Sequence, residues 1–219
     1  HVCSGYCTVS PFHNNIETWS SKGRTILTRA LSSGELQPSS KLVDVLYSCN
    51  LCGFCFAECF ENSTQVRKAI MDARHRVVQL DKTPALFQAT AKTIFETGDP
   101  AGTPLSKRVS WAKQLPQRGV FPNRASILYW AGCVASVRTP NTAKAVGNVL
   151  NRAQIDFTYL GEKEGCCGYV LLAAGLWDEA RENALRLEER VERTGAETLI
   201  TTCAGCYYTF TKMYPEILG

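Results

Sequence analysis

Apolar residues recur at helical intervals through the first half of the chain and gather into short runs in the second. Within NNIETWSSKGRTILTRALSSG, Ile16, Trp19, Ile26, Leu27 and Leu31 fall at spacings compatible with helical faces, with a break expected near Gly23 and an end at Gly34. PSSKLVDVLYSC offers Ser39 or Ser40 as a cap and carries Leu42, Val43, Val45 and Leu46 toward a cysteine. STQVRKAIMDARHRVVQL opens on a Ser63 or Thr64 cap and places Val66, Ile70, Val77 and Leu80 at three-, four- and seven-residue intervals. His75, between Arg74 and Arg76, reads as a solvated side chain on that helix. Gly and Pro then concentrate in ETGDPAGTPLSKR and QLPQRGVFPNR, which mark a linker.

Beyond the linker the pattern shortens. ASILYWAG is an apolar run of strand length that delivers Cys133, and TPNTAKAVGNVLNRA is a helix with Ala143, Val146, Val149 and Leu150 inward. IDFTYLG reads as a second strand ending near Cys166 and Cys167, LWDEARENALRLEERVERTG as an amphipathic helix, and AETLITTCAGC as a third strand handing over to Cys203 and Cys206. Strand and helix in alternation predict a small α/β domain with a short parallel sheet over 119–219, preceded by a helical domain over 1–118.

Composition excludes several classes of function. The 219 residues carry a formal charge of +4 from interspersed Lys, Arg, Asp and Glu, with no basic block, so nucleic-acid binding is not indicated. No run of apolar residues is long enough to span a bilayer, and HVCSGYCTVS lacks the basic and apolar regions of a signal peptide. The chain opens without Met inside a cysteine cluster, so it is expected to be part of a longer product.

Eleven cysteines carry the chemistry. Disulfide frameworks belong mainly to secreted domains too small to build a core, whereas this chain is larger and its cysteine number is odd. SCNLCGFCFAECFE spaces Cys49, Cys52, Cys55 and Cys59 as C-x2-C-x2-C-x3-C, the bacterial ferredoxin run for a [4Fe-4S] cube, with Phe60 where Pro usually follows. Three sulfurs from one tight turn can reach three corners of a cube, and Gly53 lets the backbone come close. HVCSGYCTVSPF resembles the remnant of a first such run, with Ser10-Pro11 standing where a Cys-Pro pair would end it. On that parse one cube is held by a cysteine preceding His1 together with Cys3, Cys7 and Cys59. The other has Cys49, Cys52 and Cys55, and its fourth ligand stays open between Ser10, a residue outside this chain, and a [3Fe-4S] cluster.

In the second half, every predicted strand leads to cysteine, and ligands in open α/β sheets gather at the carboxyl ends of strands. Cys133, Cys166, Cys167, Cys203 and Cys206 are therefore expected to converge. Thiolates about 4 Å apart repel by roughly 4 kcal/mol per pair at an effective dielectric near 20, a cost that a polynuclear metal group removes. One zinc takes four ligands and leaves a sulfur spare. Neighbouring Cys166 and Cys167 are poorly placed for a mutual disulfide but can point at different metals.

The segments AGC, GCCGYV and CAGCYYTFTKMYPEILG resemble one copy of the cysteine-rich, or CCG, domain of heterodisulfide reductase catalytic subunits, found also in iron–sulfur subunits of glycolate and anaerobic glycerol-3-phosphate oxidoreductases. WSSKGR preceding CNLCGFC resembles the accompanying α-helical ferredoxin module. The resemblance implies a noncubane [4Fe-4S] cluster on Cys133, Cys166, Cys167, Cys203 and Cys206, with Cys166 and Cys167 at the catalytic centre, and one or two cubanes on Cys3, Cys7, Cys49, Cys52, Cys55 and Cys59. It implies an oxidoreductase subunit that passes electrons through cubanes to the CCG site, where a disulfide is reduced. The catalytic relatives carry two CCG domains, so a second copy is expected to follow, to come from a partner, or to be absent from a version that only transfers electrons. Some relatives hold zinc in the CCG site. The alternative is a non-catalytic electron-transfer subunit of a flavin dehydrogenase or membrane-cytochrome complex, with zinc or no cluster there.

Expected partners are a flavoprotein or a membrane cytochrome b-type subunit and a disulfide or thiol substrate, with no nucleic acid and no direct insertion into a membrane. No G-x-G-x-x-G follows a predicted strand, so a flavin or nicotinamide would belong to a partner. Oxygen-sensitive cubes and many thiols point to a reducing cytoplasm, reached by a membrane only through a partner. Tyr6, Phe54, Phe56, Trp130, Tyr169 and Tyr207 flank cysteines and are expected to exclude water, and Glu162, Lys163 and Glu164 read as a surface loop.

Overall fold

The computed structural model describes residues 5–57, 65–115 and 124–219, so Cys3, Cys59 and the Ser63 or Thr64 cap lie outside the described residues. The chain forms two compact units, His1–Phe87 with Leu171–Trp177, and Gln88–Val170 with Asp178–Gly219.

The first unit is helical, as expected. Helix α1 (Ser21–Ser32) is capped by Ser20, whose Oγ accepts the Gly23 N–H at 3.2 Å. The helix runs through Gly23 rather than breaking there. Its missing side chain serves a close approach: a Cβ on Gly23 would collide with the backbone oxygen of Glu17. Helix α2 (Ser40–Tyr47) starts on the Ser39 cap, with Leu42 N–H donating to Ser39 Oγ at 3.2 Å. One turn, α3 (Phe54–Ala57), follows within the cysteine motif, and α4 (Gln65–Gln79) comes next. Leu31, Leu42, Val43, Leu46, Ala73 and Val77 form the core of this unit, while Ile16 and Ile26, expected on inner faces, are exposed.

Buried Arg74 ties the end of α2, donating to the carbonyls of Leu46 (2.8 Å), Cys49 (2.6 Å) and Ala173 (2.6 Å). His75 is not a freely solvated side chain: its ring stacks on Trp177 with centroids 4.5 Å apart, and Nδ1 is 2.9 Å from the Gly175 carbonyl. The backbone passes so close that a Cβ on Gly175, at φ +83°, would collide with the His75 backbone nitrogen.

Helix α5 (Ala85–Thr97) contains the division between the units. The second unit holds three parallel strands, β1 (Ile127–Trp130), β2 (Phe157–Thr158) and β3 (Thr198–Thr201), in the order β2-β1-β3. Ile127 pairs with Phe157 on one side and Thr198 on the other. The remaining helices are α6 (Pro140–Arg152), α7 (Tyr169–Ala174), α8 (Trp177–Glu192), α9 (Ala204–Tyr208) and α10 (Tyr214–Leu218). The expected helical region followed by a small domain with a short parallel sheet is therefore present.

Central β1 is buried on both faces, as parallel strands under crossover helices are. Tyr129 and Ala131 pack with Trp111, Ala143, Leu150, Phe157 and Tyr159. Leu128 and Trp130 pack with Leu160, Leu187, Cys167 and Cys206. Val149, expected inward on α6, is exposed, and Gly147 takes the inner position. Residues 88–115, read from the sequence as the end of the helical domain and part of a linker, belong to the second unit. They bring buried Asp99 and Arg108 to it.

The backbone clearance at Gly23 yields a stability prediction. Gly23→Ala forces a methyl group onto the Glu17 carbonyl and is expected to destabilise the first unit by about 1–3 kcal/mol. Thermal unfolding followed by circular dichroism checks it, and an unchanged midpoint would contradict the close approach.

Candidate metal centres

The first centre lies wholly within the helical unit. Cys7, Cys49, Cys52 and Cys55 line one cavity together with Tyr6, Thr8, Arg24, Leu51, Gly53 and Ile70. Cys49 leaves the end of α2, and the chain then turns through Leu51 at φ +52° and Gly53 at φ +81°. Those left-handed steps curl the backbone so that Cys49, Cys52 and Cys55 share one cavity, and glycine makes the second step without strain. Leu51 N–H donates to Cys49 Sγ at 3.4 Å, and Thr8 Oγ1 is 3.8 Å from Cys52 Sγ.

The parse above groups Cys7 with Cys3 and Cys59, which lie outside the described residues; among those described, Cys7 lines the same cavity as Cys49, Cys52 and Cys55. Donors surround its sulfur. Burial raises the Cys7 thiol, but the N–H groups of Val9 and Ser10 and the Arg24 guanidinium outweigh it and lower the pKa overall. Arg24 Nη1 stands 3.3 Å from the sulfur. Ser10, considered above as an oxygen ligand, is buried with its hydroxyl toward Asn15 Oδ1 at 3.5 Å. Cys55 moves the other way, pushed up to about 11 by burial and by the neighbouring sulfurs of Cys49, Cys52 and Cys7.

The second centre lies within the sheet unit, where all five expected cysteines meet. Cys133 contacts Cys166, Cys166 contacts Cys167, Cys167 contacts Cys206, and Cys206 contacts Cys203. Cys133 follows β1, Cys203 follows β3 and starts α9, and Cys166 and Cys167 return on the loop beyond β2. Glycine allows the approach at Gly132, φ +76°, where a Cβ would come within 3.2 Å of Cys206 Sγ. The loop carrying Cys166 and Cys167 is held from outside by two side chains. Asn183 Nδ2 donates to the Cys166 carbonyl at 3.0 Å, and Tyr214 hydroxyl donates to the Cys167 carbonyl at 2.9 Å.

Electrostatics along this row of sulfurs are uneven. Contact with Cys206 lowers Cys203 to about 5, and contact with Cys166 lowers Cys167. Cys206, between the two, is raised by its contacts with Cys167 and Cys203. Contact with Cys133 lowers Cys166, but contact with Cys167 and burial outweigh it and push it up to about 12. Cys133 is raised by its contact with Cys166 and by burial. Among the described residues no group of three or more His, Cys, Asp or Glu side chains is arranged to hold a single metal ion. The sulfurs make an open row of pairwise contacts instead. Cys166, Cys167 and Cys206 are buried, whereas Cys133 and Cys203 are partly exposed. Val134, 48% exposed, follows Cys133 in sequence, and Tyr207, 63% exposed, follows buried Cys206.

Glu164, read from the sequence as part of a surface loop, is instead a buried residue beside the cysteine row. Glu162 and Lys163 are indeed exposed, but Glu164 is buried. Its Oε1 accepts from Gly132 N–H at 2.8 Å and its Oε2 from Ala131 N–H at 3.1 Å, joining the cysteine loop to the end of β1. Arg108 Nη1 is 3.7 Å from the carboxylate and 3.3 Å from the Gly165 carbonyl, and Arg108 Nη2 reaches Gly98 O (2.6 Å) and Asp99 (3.3 Å). Burial dominates over the charge of Arg108 and the two N–H donors, leaving the Glu164 carboxyl at about 7. No periodic signal marks a lone buried acid. A hint existed in the glutamate standing directly before GCCG, where the neighbouring backbone is most constrained.

Comparison with known proteins agrees with this arrangement. Residues 127–211 match the family described as Cysteine-rich domain, CCG. One subunit of the dihydromethanophenazine:CoB–CoM heterodisulfide reductase of Methanosarcina barkeri is 31% identical over 193 residues, covering 84% of this chain and 46% of the relative. A fumarate reductase (CoM/CoB) subunit of Methanothermobacter marburgensis is 28% identical over 175 residues, 78% of this chain and 33% of its own length. An anaerobic glycerol-3-phosphate dehydrogenase subunit of Escherichia coli K12 is 32% identical over 96 residues, 42% of this chain and 24% of its own. This chain thus spans less than half of each of these relatives. No solved structure matches it. Residues 127–211, where five cysteines gather beyond the strands of a parallel sheet, are thus similar to the cysteine-rich CCG domain, and the chain is similar over most of its length to part of a heterodisulfide reductase subunit.

Proposed function

We propose that this chain is an iron–sulfur redox subunit with two metal centres, a cubane on Cys7, Cys49, Cys52 and Cys55 and a multi-iron cluster on Cys133, Cys166, Cys167, Cys203 and Cys206. The observation that carries the reading is the meeting of two all-sulfur donor sets, four thiols around one cavity and five in a contiguous row. Soft thiolates select iron–sulfur clusters or zinc over oxygen-loving cations. Five thiols suit several irons better than one zinc, which takes four ligands and would leave one sulfur spare. A cluster held by each cysteine set would supply single electrons, two of which, with two protons, are needed to convert a disulfide into two thiols.

The protein's own residues position and shield. Buried Cys166 and Cys167 would be anchors within the centre, and a substrate would first meet partly exposed Cys133 or Cys203, at the two ends of the row. That assignment moves the substrate-facing role away from the adjacent pair singled out in the sequence. Glu164 fixes the peptide between β1 and Cys133 against the Cys166 loop. Electrons would arrive from a partner flavoprotein or cytochrome. Among the described residues no helix is long and apolar enough to cross a membrane. Cys3 and Cys59 would serve a further cubane with sulfur from outside the described residues.

Three measurements test this. In anaerobically purified protein, Cys7→Ser is expected to diminish the same cubane EPR signal that Cys49→Ser removes; loss of a different signal, or none, would return Cys7 to the other cluster. Addition of a thiol to the oxidised protein is expected to produce a new paramagnetic signal that Cys133→Ser or Cys203→Ser weakens. One zinc at the CCG centre and no thiol-dependent signal would leave an electron-transfer subunit only. Finally, Glu164→Gln, which removes a buried charge-assisted pair of hydrogen bonds, is expected to cost about 1.5–3 kcal/mol and to loosen metal at the CCG centre. Unchanged denaturant stability and metal content would contradict its positioning role.

A further inference from the structure

Arg24 is 1% exposed, among the most buried large side chains of the chain. A guanidinium stays charged at any pH a protein survives, so burial demands acceptors for its donors and a counter-charge. The donors are placed: Nε gives to Val45 O at 2.9 Å, and Nη2 to Ser48 Oγ at 2.8 Å, which itself donates to Val45 O at 2.8 Å. Those acceptors are neutral. Among the described residues no carboxylate pairs with Arg24, in contrast to buried Arg108, which has Asp99 and Glu164. What remains is Nη1, aimed at Cys7 Sγ at 3.3 Å. Among the described residues, the partner of Arg24 able to carry the compensating negative charge is this sulfur, with whatever it binds.

The local sequence is built to deliver that contact. Trp19 is buried, Ser20 caps α1, Gly23 clears the Glu17 backbone, and Arg24 follows on the first turn of the helix. The motif WSSKGR thus works as one device for seating a cation beside Cys7, rather than as a helical face with a break.

We propose that Arg24 is the fixed counter-charge of the centre at Cys7, a positioning residue that holds this sulfur and raises the reduction potential of the metal group bound there. The inference rests on the reading of Cys7, Cys49, Cys52 and Cys55 as a cubane site. Reduction adds negative charge beside a buried cation, so the cation favours the reduced form. Its removal disfavours that form, and the potential falls.

The test is a mediated reductive titration of the cubane EPR signal, with iron and sulfide analysis, in the full chain and in Arg24→Gln, Arg24→Lys and Ser48→Ala. Arg24→Gln is expected to shift the reduction equilibrium about tenfold toward the oxidised form, a fall of ~59 mV for one electron. Arg24→Lys, which keeps the charge, should stay nearer the parent value. Ser48→Ala, which removes an anchor without removing charge, should leave the potential in place. A parent-like potential in Arg24→Gln overturns the inference, as does equal loss of the cubane from Arg24→Gln and Arg24→Lys, which would make Arg24 a structural brace. A fall in Ser48→Ala as large as in Arg24→Gln would likewise assign the effect to local packing. A parent protein whose cubane signal is indifferent to Cys49→Ser and Cys7→Ser fails the underlying site reading instead.

Discussion

Five cysteines in a row of neighbour-to-neighbour contacts, three of them buried, impose the condition around which the second unit is organised. Neighbouring thiolates cannot all carry charge in such surroundings without repelling by several kcal/mol, on the order of 4 kcal/mol per pair at 4 Å and an effective dielectric near 20. The protein holds them together through backbone geometry. Gly132 removes a side chain that would meet Cys206, Glu164 joins the end of β1 to the Cys166 loop, and Asn183 and Tyr214 fix the carbonyls of Cys166 and Cys167. Each contact restrains the chain while leaving the sulfurs to one another.

A second theme is shared by both units: buried guanidinium groups stand where strain and charge accumulate. Arg74 gathers carbonyls at the end of α2, where the helix dipole leaves negative partial charge and where Cys49 begins. Arg108 joins Asp99 and Glu164 beneath the CCG loop. Arg24 reaches a sulfur directly. Arginine suits all three places because its planar fork can satisfy several acceptors without losing its charge.

The sequence made the architecture readable where the signal was local. Ile127–Trp130 is an apolar run between turn residues, Ser39 precedes a helical pattern, and the order of strands and helices implies parallel pairing. Strand ends pointed to Cys133 and Cys203, whereas Cys166 and Cys167 lie on a loop well beyond the short β2. What stayed hidden depends on contacts between distant residues. The carboxylate of Glu164 meets Arg108 from a stretch whose Gly and Pro read as linker, and a single buried acid leaves no periodic trace. Cys7 sits in a motif that can be parsed in two registers, so its companions emerge only when the fold closes the cavity. His75 lies between two arginines and reads as solvated, yet Trp177, far along the chain, covers its ring.

On this account the CCG row holds more than one metal. Mössbauer spectroscopy of protein produced anaerobically on isotopically enriched iron, with zinc quantified in the same sample, tests it most directly. The account predicts an iron component beyond ordinary cubane doublets, lost when Cys166 and Cys167 are replaced by Ser, and negligible zinc. Cubane iron alone, with stoichiometric zinc released by the same replacement, would contradict it.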